Sequence, residues 1–504
     1  MSGHVSTFGG WQEEKSGFLG RLDLVGTMLV TAAASLVVTA LLARSLTAVA
    51  VCAPSAATLV ALATVRVHGL TAHEWLLFAA RHQYAGARQR TRFLSGVFAP
   101  HRPTDQEQGI DLPGTAAALR FLKVPDGRGG QLTVVHDPFA RTYTAVLQVR
   151  YPGLALAATD RQERRVGAWG ALLESLCVDD TPLVRLGVLE RSWPDDGAAL
   201  RGWVEANVAA TAPATAAANL QTLLGTVGPT ANRRETFVTV TLSRDRCRSA
   251  IRAAGDGDLG ACAVLVRELT ALTPTLTAAE LNLERPLDQA ALRDVLRTGY
   301  DPDAIRDQHR TLSDMAEPAV QVADLSLTGP AAAEAAWGVY RHDGAWSLTL
   351  QVRGWPRTEA FATFLQPLLQ PAEASRRSVA LLYEPMGPTR ARRELSRDRT
   401  RRTAARAFRR KTKKMDSFDE ALDESRAEDQ DLDRARGAGI VRFTALVTVT
   451  VTDPDLLEGE LASLRACAAR SGLELRRLWG AQDSGFVAGV LPLGQGLPNV
   501  RSWL

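Results

Sequence analysis

The stretch that decides the fold is LVGTMLVTAAASLVVTALLA, Leu24–Ala43, which is followed after Arg44 by SLTAVAVCAPSAATLVALATV, Ser45–Val65. Neither segment contains a charge, and each has about 20 residues, the number that a helix needs to cross a bilayer core. They predict a hairpin of two membrane-spanning helices. Small residues at 32–35 would allow close helix packing, Pro54 would kink the second helix against a neighbour, and Arg44 would mark the outer turn.

The flanking charges predict the orientation of this hairpin. Basic residues concentrate after the second segment, and in bacterial membrane proteins the basic side faces the cytoplasm. These residues are Arg66, Arg81, Arg88, Arg90 and Arg92. We therefore expect a plasma-membrane protein with two spans and both termini cytoplasmic. A cleaved signal peptide would show a basic start and one shorter apolar run, and the sequence shows neither.

Length and composition predict an ordinary globular body behind the hairpin. A chain of 504 residues is too long for one core, and its net charge of +4 gives no clear indication of a nucleic-acid partner. The cysteines are few and scattered, so they predict neither a disulfide framework nor a zinc site, and they fit a reducing cytoplasm. They are Cys52, Cys177, Cys247, Cys262 and Cys467.

The order of predicted elements gives a membrane-anchored α+β fold: a transmembrane hairpin, two α/β-sandwich-like halves and a long charged helical arm. The second half repeats the pattern of the first, with strand pairs followed by helices. A helix predicted over Glu74–Phe98 would lie on the inner membrane face or pack on the body. The predicted boundaries are 1–23 for a cytoplasmic segment, 24–66 for the hairpin, 67–109 for the basic helix and linker, 110–317 and 318–504 for the two halves, and 390–436 for the arm.

A search for catalytic motifs gives no site. No glycine is followed by lysine, which excludes a P-loop motor, and neither HExxH nor GxSxG occurs. The glycine-rich DGRGG at Asp126–Gly130 precedes a strand instead of opening a helix, so it predicts a hairpin turn. We expect no enzyme activity, no cofactor and no metal.

The strongest charge feature is a basic block at Arg390–Lys414 followed by an acidic block at Asp416–Asp433. The basic block is a candidate contact for a protein partner, anionic lipid or nucleic acid. Alternatively, the two blocks neutralise each other in a polar helical arm. The candidate contact residues are Arg399, Arg401, Arg402, Arg406, Arg409, Arg410, Lys411, Lys413 and Lys414.

The order of segments resembles an uncharacterised family of actinobacterial integral membrane proteins. The residues that carry the resemblance are the GGWQ opening, the hairpin, YRHDGAWSLTLQVRGWPR and the tail GAGIVRFTALVTVTVTDPDLLEGELASLRACAARSG. Members of that family are found with PrgI-type and conjugation-type secretion genes. The tail also looks like the end of the N-terminal domain of the TraC-like conjugation ATPase, without its motor.

The resemblance implies a non-catalytic structural subunit of a type IV-like secretion system. Such a subunit would anchor and dock a motor ATPase and would be oligomeric within the complex, with membrane lipid, the ATPase and other membrane subunits as partners. The first alternative is an EccE-like component of a type VII secretion system. The second is a membrane-tethered DNA-binding protein.

Overall fold

The computed structural model describes most of the chain. The described residues are Trp11, 24–95, Ala99, 111–153, 157–194, 198–209, 211–227, 232–302, Ala304, 328–356, 358–370, 375–411, 425–426, Leu432 and 439–496. The structure is mixed α+β, with a large antiparallel sheet and an N-terminal pair of apolar helices that could span a membrane.

Twelve helices lie in the described residues, with further short 3₁₀ turns that include Gly114–Ala116, Gln366–Leu368 and Pro454–Leu456. The helices are α1 (Leu24–Ala43), α2 (Leu46–Thr64), α3 (Ala72–Ala87), α4 (Thr159–Ser175), α5 (Ala198–Asn207), α6 (Ala214–Val227), α7 (Arg248–Ala253), α8 (Gly257–Ala278), α9 (Gln289–Tyr300), α10 (Pro388–Lys411), α11 (Leu457–Arg470) and α12 (Gln482–Val490).

Fifteen strands lie in the same residues. They are β1 (Arg66–Val67), β2 (Leu70–Thr71), β3 (Arg92–Leu94), β4 (Arg120–Pro125), β5 (Gln131–Asp137), β6 (Thr142–Arg150), β7 (Leu183–Pro194), β8 (Asn232–Ser243), β9 (Asn282–Pro286), β10 (Ala332–Ala335), β11 (Tyr340–His342), β12 (Ala345–Gly354), β13 (Arg376–Met386), β14 (Ile440–Val451) and β15 (Glu474–Arg477). β1 and β2 pair only with each other, and the other thirteen form one sheet.

The strands of the two predicted halves lie side by side in this one sheet. Its order is β3-β10-β11-β12-β14-β13-β7-β8-β6-β5-β4, with β15 added beside β12 and β9 beside β6. Read outward from the centre, β7-β8-β6-β5-β4 and β13-β14-β12-β11-β10 are the same arrangement. The half from β4 to α9 is called the first half below, and the half from β10 to α12 the second half.

The strand register relates the two halves by a pseudo-twofold axis normal to the sheet. At the centre Leu189 of β7 pairs with Ala380 of β13. Val188 faces Val238 in the first half, as Val379 faces Val447 in the second. Since Val188 and Val379 lie one residue from the central pair on equivalent sides, the axis passes between Leu189 and Ala380.

Short identical sequences mark the same repeat. LQVR occurs at 147–150 in β6 and at 350–353 in β12, and VTVT occurs at 238–241 in β8 and at 447–450 in β14. Leu147 pairs with Val238 and Leu350 pairs with Val447, so the identical motifs occupy identical register positions.

Both faces of the sheet are covered by helices. On one face α9 and α12 share a single core that crosses the centre, with Phe237, Leu292, Leu446 and Phe486 among its buried residues. On the other face each half has its own core, made with α4 and α8 in the first half and with α11 in the second. Alternation along β8 separates these cores, because Phe237 points to the shared face and Val238 to the other.

Candidate functional site

The helices α1 and α2 form an antiparallel pair whose outward surface is apolar. Leu42 is 79% exposed and Leu46 is 90% exposed. Large apolar side chains with this exposure on two neighbouring helices would be costly in water, and each helix is long enough for a bilayer. Met28, Val37, Val38, Leu41, Val49, Val51 and Val60 extend the same surface.

Three described helices are long and apolar enough to cross a membrane, and the third is α8. This helix differs from the other two because Cys262, Leu265, Leu272 and Leu276 are buried in the first-half core. Its apolar composition is therefore matched by contacts with the sheet.

Small residues make the contact between α1 and α2. Ala33 and Ala40 on α1 and Ala56 and Ala63 on α2 are the buried alanines, and both pairs are seven residues apart. A seven-residue repeat keeps one face of each helix against its partner, and alanine permits close backbone approach. Of the small residues predicted at 32–35, only Ala33 is buried in this contact.

Hydroxyl side chains inside both helices are bonded to their own backbone. Each donates to a carbonyl three or four residues earlier, which satisfies polar groups that hydrocarbon could not hydrate. These residues are Thr31, Ser35, Thr39, Ser55, Thr58 and Thr64.

The two predicted hairpin residues lie in different places. Arg44 is exposed between α1 and α2 and adopts a left-handed backbone with φ of 42°. Pro54 lies inside α2 with its side chain exposed, away from the buried alanines. Pro54 is thus on the outer surface of the helix pair, which α1 does not cover.

An aromatic cluster joins the N-terminal segment from α1 to β3, called the anchor below, to the second half, and the sequence did not predict it. Trp337, from the turn between β10 and β11, has ring centroids 5.9 Å from Trp75 and 5.5 Å from His82, both on α3. Trp479, which follows β15, stacks on Trp337 at 6.3 Å and lies 5.0 Å from His68 of the β1–β2 turn. We call these five residues the aromatic junction.

Glycines make room for this junction. Gly480 has φ of +68°, and a Cβ there would lie 2.6 Å from Trp337; a Cβ on Gly338 would lie 2.6 Å from Trp479. The nitrogen of Gly480 also donates to the carbonyl of Trp337 at 2.7 Å. The WG pairs at 337–338 and 479–480 were the available sequence signal, because each places a large ring beside a residue without a side chain.

Backbone and polar contacts fix α3 at both ends. At its start the Glu74 carboxylate accepts from the nitrogen and hydroxyl of Thr71, and His73 is bonded to the carbonyl of Leu62 in α2. Beyond its end, β3 pairs with β10, and Arg92 donates to Glu334 at 3.0 Å. The anchor is therefore fastened to the edge of the sheet through a strand as well as through side chains.

The helix predicted over Glu74–Phe98 is shorter in the structure. It ends at Ala87, Gln89 has φ of 55°, and Arg92–Leu94 forms β3. One side of α3 packs on the body, while Leu77 and Tyr84 remain exposed on another. The packing on the body agrees with one of the two predicted orientations, and a contact with the membrane face stays a prediction.

The structure describes only part of the charged arm. α10 covers Pro388–Lys411, its base is held by bonds from Thr389 to Asp179 and from Arg442 to Glu394, and Arg399 is exposed. The side chains of Arg401, Arg402, Arg406, Arg409, Arg410 and Lys411 lie outside the described part, as do Lys413 and Lys414 altogether. The candidate contact residues are therefore not assembled into a site by the described coordinates.

Few side chains in the described ranges are arranged for catalysis or metal binding. No group of three or more His, Cys, Asp or Glu side chains there is placed to hold a metal ion. Burial raises the pKa of Cys262 to about 12, which keeps its thiol protonated. His136 stacks on Tyr143 at 4.4 Å, and burial lowers the pKa of this histidine.

Comparison with known proteins gives no matching family model and no significant similarity to a curated protein.

Proposed function

We propose that this protein is a non-catalytic structural subunit of a type IV-like, conjugation-type secretion system at the plasma membrane. The hairpin α1–α2 spans the bilayer twice with both termini in the cytoplasm, and the sheet docks a motor ATPase. The observation that supports this most is the attachment of the hairpin to the sheet through β3 and the aromatic junction. A flexible tether would suffice to localise an enzyme, whereas a docking platform requires a fixed orientation at the membrane.

The topology can be tested with cysteine substitutions on the full chain. Arg44→Cys, at the outer turn, should react with a membrane-impermeant maleimide in intact cells. Arg128→Cys, in the exposed β4–β5 turn, should react only after permeabilisation. The unmodified chain is the background control, because four of its five cysteines are buried and Cys52 lies in α2. Labelling of Arg128→Cys in intact cells would contradict a cytoplasmic body.

The partner can be tested by affinity purification of the full chain from native membranes. We expect a conjugation-type ATPase to copurify. Recovery of EccB- and EccC-type proteins instead would replace this proposal with the type VII alternative. Recovery of neither class, under conditions that retain another known membrane complex, would count against both secretion roles.

A DNA-binding role is a second candidate because α10 presents several exposed arginines along its first turns. These are Arg390, Arg392, Arg393, Arg397 and Arg399. Phosphate binding of this kind weakens steeply with salt. If the role holds, DNA affinity measured by fluorescence anisotropy should fall as salt rises and should be lost when the basic residues of 399–414 are neutralised. A DNA affinity that changes neither with salt nor on neutralisation would exclude the DNA-binding role.

A further inference from the structure

A cavity of about 380 Å³ opens at one end of the first half, away from the aromatic junction in the strand order. The turn between β5 and β6, the end of β8 and the segment through α7 to the start of α8 surround it. Its lining residues are Arg141, Arg244, Asp245, Arg248, Ile251, Arg252 and Asp256.

The lining carries an excess of positive charge. Four guanidinium groups face two carboxylates. Asp245 is bonded to Arg248 at 2.5 Å and to Arg141 at 3.5 Å, and the hydrogen bond from Arg248 lowers the pKa of Asp245. This carboxylate therefore stays ionised and orients two of the arginines. Arg244 and Arg252 make no ion pair with any carboxylate of the described chain.

The fold does not require these arginines, and the second half provides the evidence. At the pseudo-equivalent end, β14 leads through the 3₁₀ turn at Pro454 into α11. The exposed charged residues there are acidic: Asp453, Asp455 and Glu458. Because the same position in the same topology accepts the opposite charge, the arginines of the first half are not needed for packing.

Two exposed apolar side chains lie two and three residues along the chain from lining residues of the cavity. Phe139, in the same turn as Arg141, is 86% exposed, and Leu259, in the first turn of α8, is 77% exposed. Large exposed apolar side chains, close in the chain to a cluster of arginines, are typical of a surface that receives a ligand with a charged and an apolar part.

We propose that this cavity binds a phosphate-bearing anion, either free or as the head group of an anionic lipid. The guanidinium fork matches phosphate oxygens in pairs, and four such groups against two carboxylates leave charge for a doubly charged ligand. Phe139 and Leu259 would contact the apolar part when the ligand is a lipid. This site is independent of the proposed secretion role.

The first experiment is isothermal titration of the detergent-solubilised full chain with inorganic pyrophosphate at low salt. Arg244→Gln combined with Arg252→Gln should weaken binding at least about tenfold, since neither removed charge has an ion-pair partner among the described residues. Arg128→Gln, another exposed arginine in a hairpin turn, is the matched control and should leave the affinity within about twofold. Both arginines of the double variant are exposed, so an unchanged thermal midpoint will verify its fold.

The second experiment distinguishes the two sources of phosphate. Short-chain phosphatidylglycerol is titrated, with short-chain phosphatidylcholine as the zwitterionic control. If lipid is the source, phosphatidylglycerol binds more tightly than pyrophosphate, and Phe139→Ser with Leu259→Ser weakens only the lipid. If the source is a free phosphate compound, the serine variant leaves both titrations unchanged while the arginine variant weakens both.

Three results would overturn the proposal. The first is no pyrophosphate binding by the unmodified chain at low salt. The second is equal binding by the unmodified chain and the Arg244→Gln, Arg252→Gln variant. The third is binding of a hexaglutamate peptide without binding of either phosphate compound, which would assign the cavity to an acidic protein segment instead.

Discussion

The first half of the sheet and the second half share a strand order, yet they meet their surroundings differently. The second half carries the anchor, through β3 beside β10 and through Trp337 and Trp479. The first half carries the cationic cavity. The two copies of one topology therefore differ in what they contact. The second half holds the N-terminal helices, and the first half has a cationic cavity at its surface.

The helices that cover the shared face, α9 and α12, also differ between the two halves. In α9 one side is buried, with Leu292 and Leu296 in the core, whereas every residue of α12 except Asp483 is buried. Gly485 and Gly489 let α12 lie against Thr349 and Thr448 of the sheet. On the shared face, the covering helix of the second half is therefore more completely buried than that of the first half.

The connections at equivalent positions also differ. Between β7 and β8 the chain forms α5 and α6, which expose Trp203 and Leu223. Between β13 and β14 it forms the charged α10. The repeat therefore conserves the sheet and varies the segments that leave it, as expected when the strands are fixed by pairing and the loops are free to diverge.

The largest expected effect comes from the row of side chains that crosses the centre, Phe237–Leu189–Ala380–Leu446. Phe237→Ala should lower the free energy of unfolding by about 3–5 kcal/mol, and its equivalent Leu446→Ala by about 2–5 kcal/mol, because both side chains are fully buried. Guanidinium unfolding of the detergent-solubilised chain measures both values.

Since one core crosses the centre, each of these variants should unfold in a single transition. Phe361→Ala, whose ring is exposed, is the control and should change the free energy by less than about 0.5 kcal/mol. Separate transitions for the two halves would break the comparison, because they would show that the shared core does not couple them.

The second prediction concerns histidines at the hairpin ends, His136-Asp137 in the first half and His342-Asp343 in the second. Burial lowers the pKa of His342 to about 4, against the bond from its ring to the carbonyl of Tyr300. The unfolded chain takes up its proton near pH 6.5, so the stability contributed by neutral His342 is present above that pH and is lost as the pH falls toward 4.

Between pH 6.5 and pH 4 the free energy of unfolding should fall by about 3 kcal/mol because of His342. His342→Gln should flatten the dependence of unfolding free energy on pH between 6.5 and 4, while lowering stability at pH 7. His136→Gln should flatten it less, because His136 is less enclosed. An equal effect of the two substitutions would contradict the difference in burial between His136 and His342.

The sequence was sufficient for features that depend on local composition. The apolar helices α1 and α2 follow from two uncharged runs, and strands such as β13 and β14 follow from runs of β-branched and apolar residues. The repeat of the pattern was also visible, and the shared LQVR and VTVT motifs would have located its register.

Features that depend on distant contacts could not be predicted in this way. The helix predicted over Glu74–Phe98 ends early because Arg92–Leu94 pairs with β10, far along the chain. The aromatic junction requires Trp75, Trp337 and Trp479 to meet through the sheet. The cationic cavity likewise needs Arg141 to lie beside the end of β8, which the β6–β8 pairing provides.

The third prediction tests the contact between α9 and α12. Gly299 lies in the last turn of α9, and a Cβ there would lie 2.6 Å from Leu491, just beyond α12. Gly299→Ala should cost about 1–3 kcal/mol of unfolding free energy by displacing the buried side chain of Leu491. Gly225→Ala, in the open helix α6, should instead stabilise by up to about 1 kcal/mol. Similar changes in unfolding free energy for the two substitutions would show that α9 and Leu491 are not tightly packed at Gly299.

The smallest expected effect concerns N-terminal capping, in which α9 and α12 differ. The Asp288 side chain accepts from the nitrogen of Ala291 at 2.8 Å and caps α9, whereas Ala481, the residue before α12, provides no capping side chain. Asp288→Ala should therefore cost about 1 kcal/mol in denaturant unfolding. Asp294→Ala, on the same helix but away from its first turn, should cost less than about 0.5 kcal/mol. Equal losses would mean that burial secures α9, as it does α12, and that the cap adds nothing.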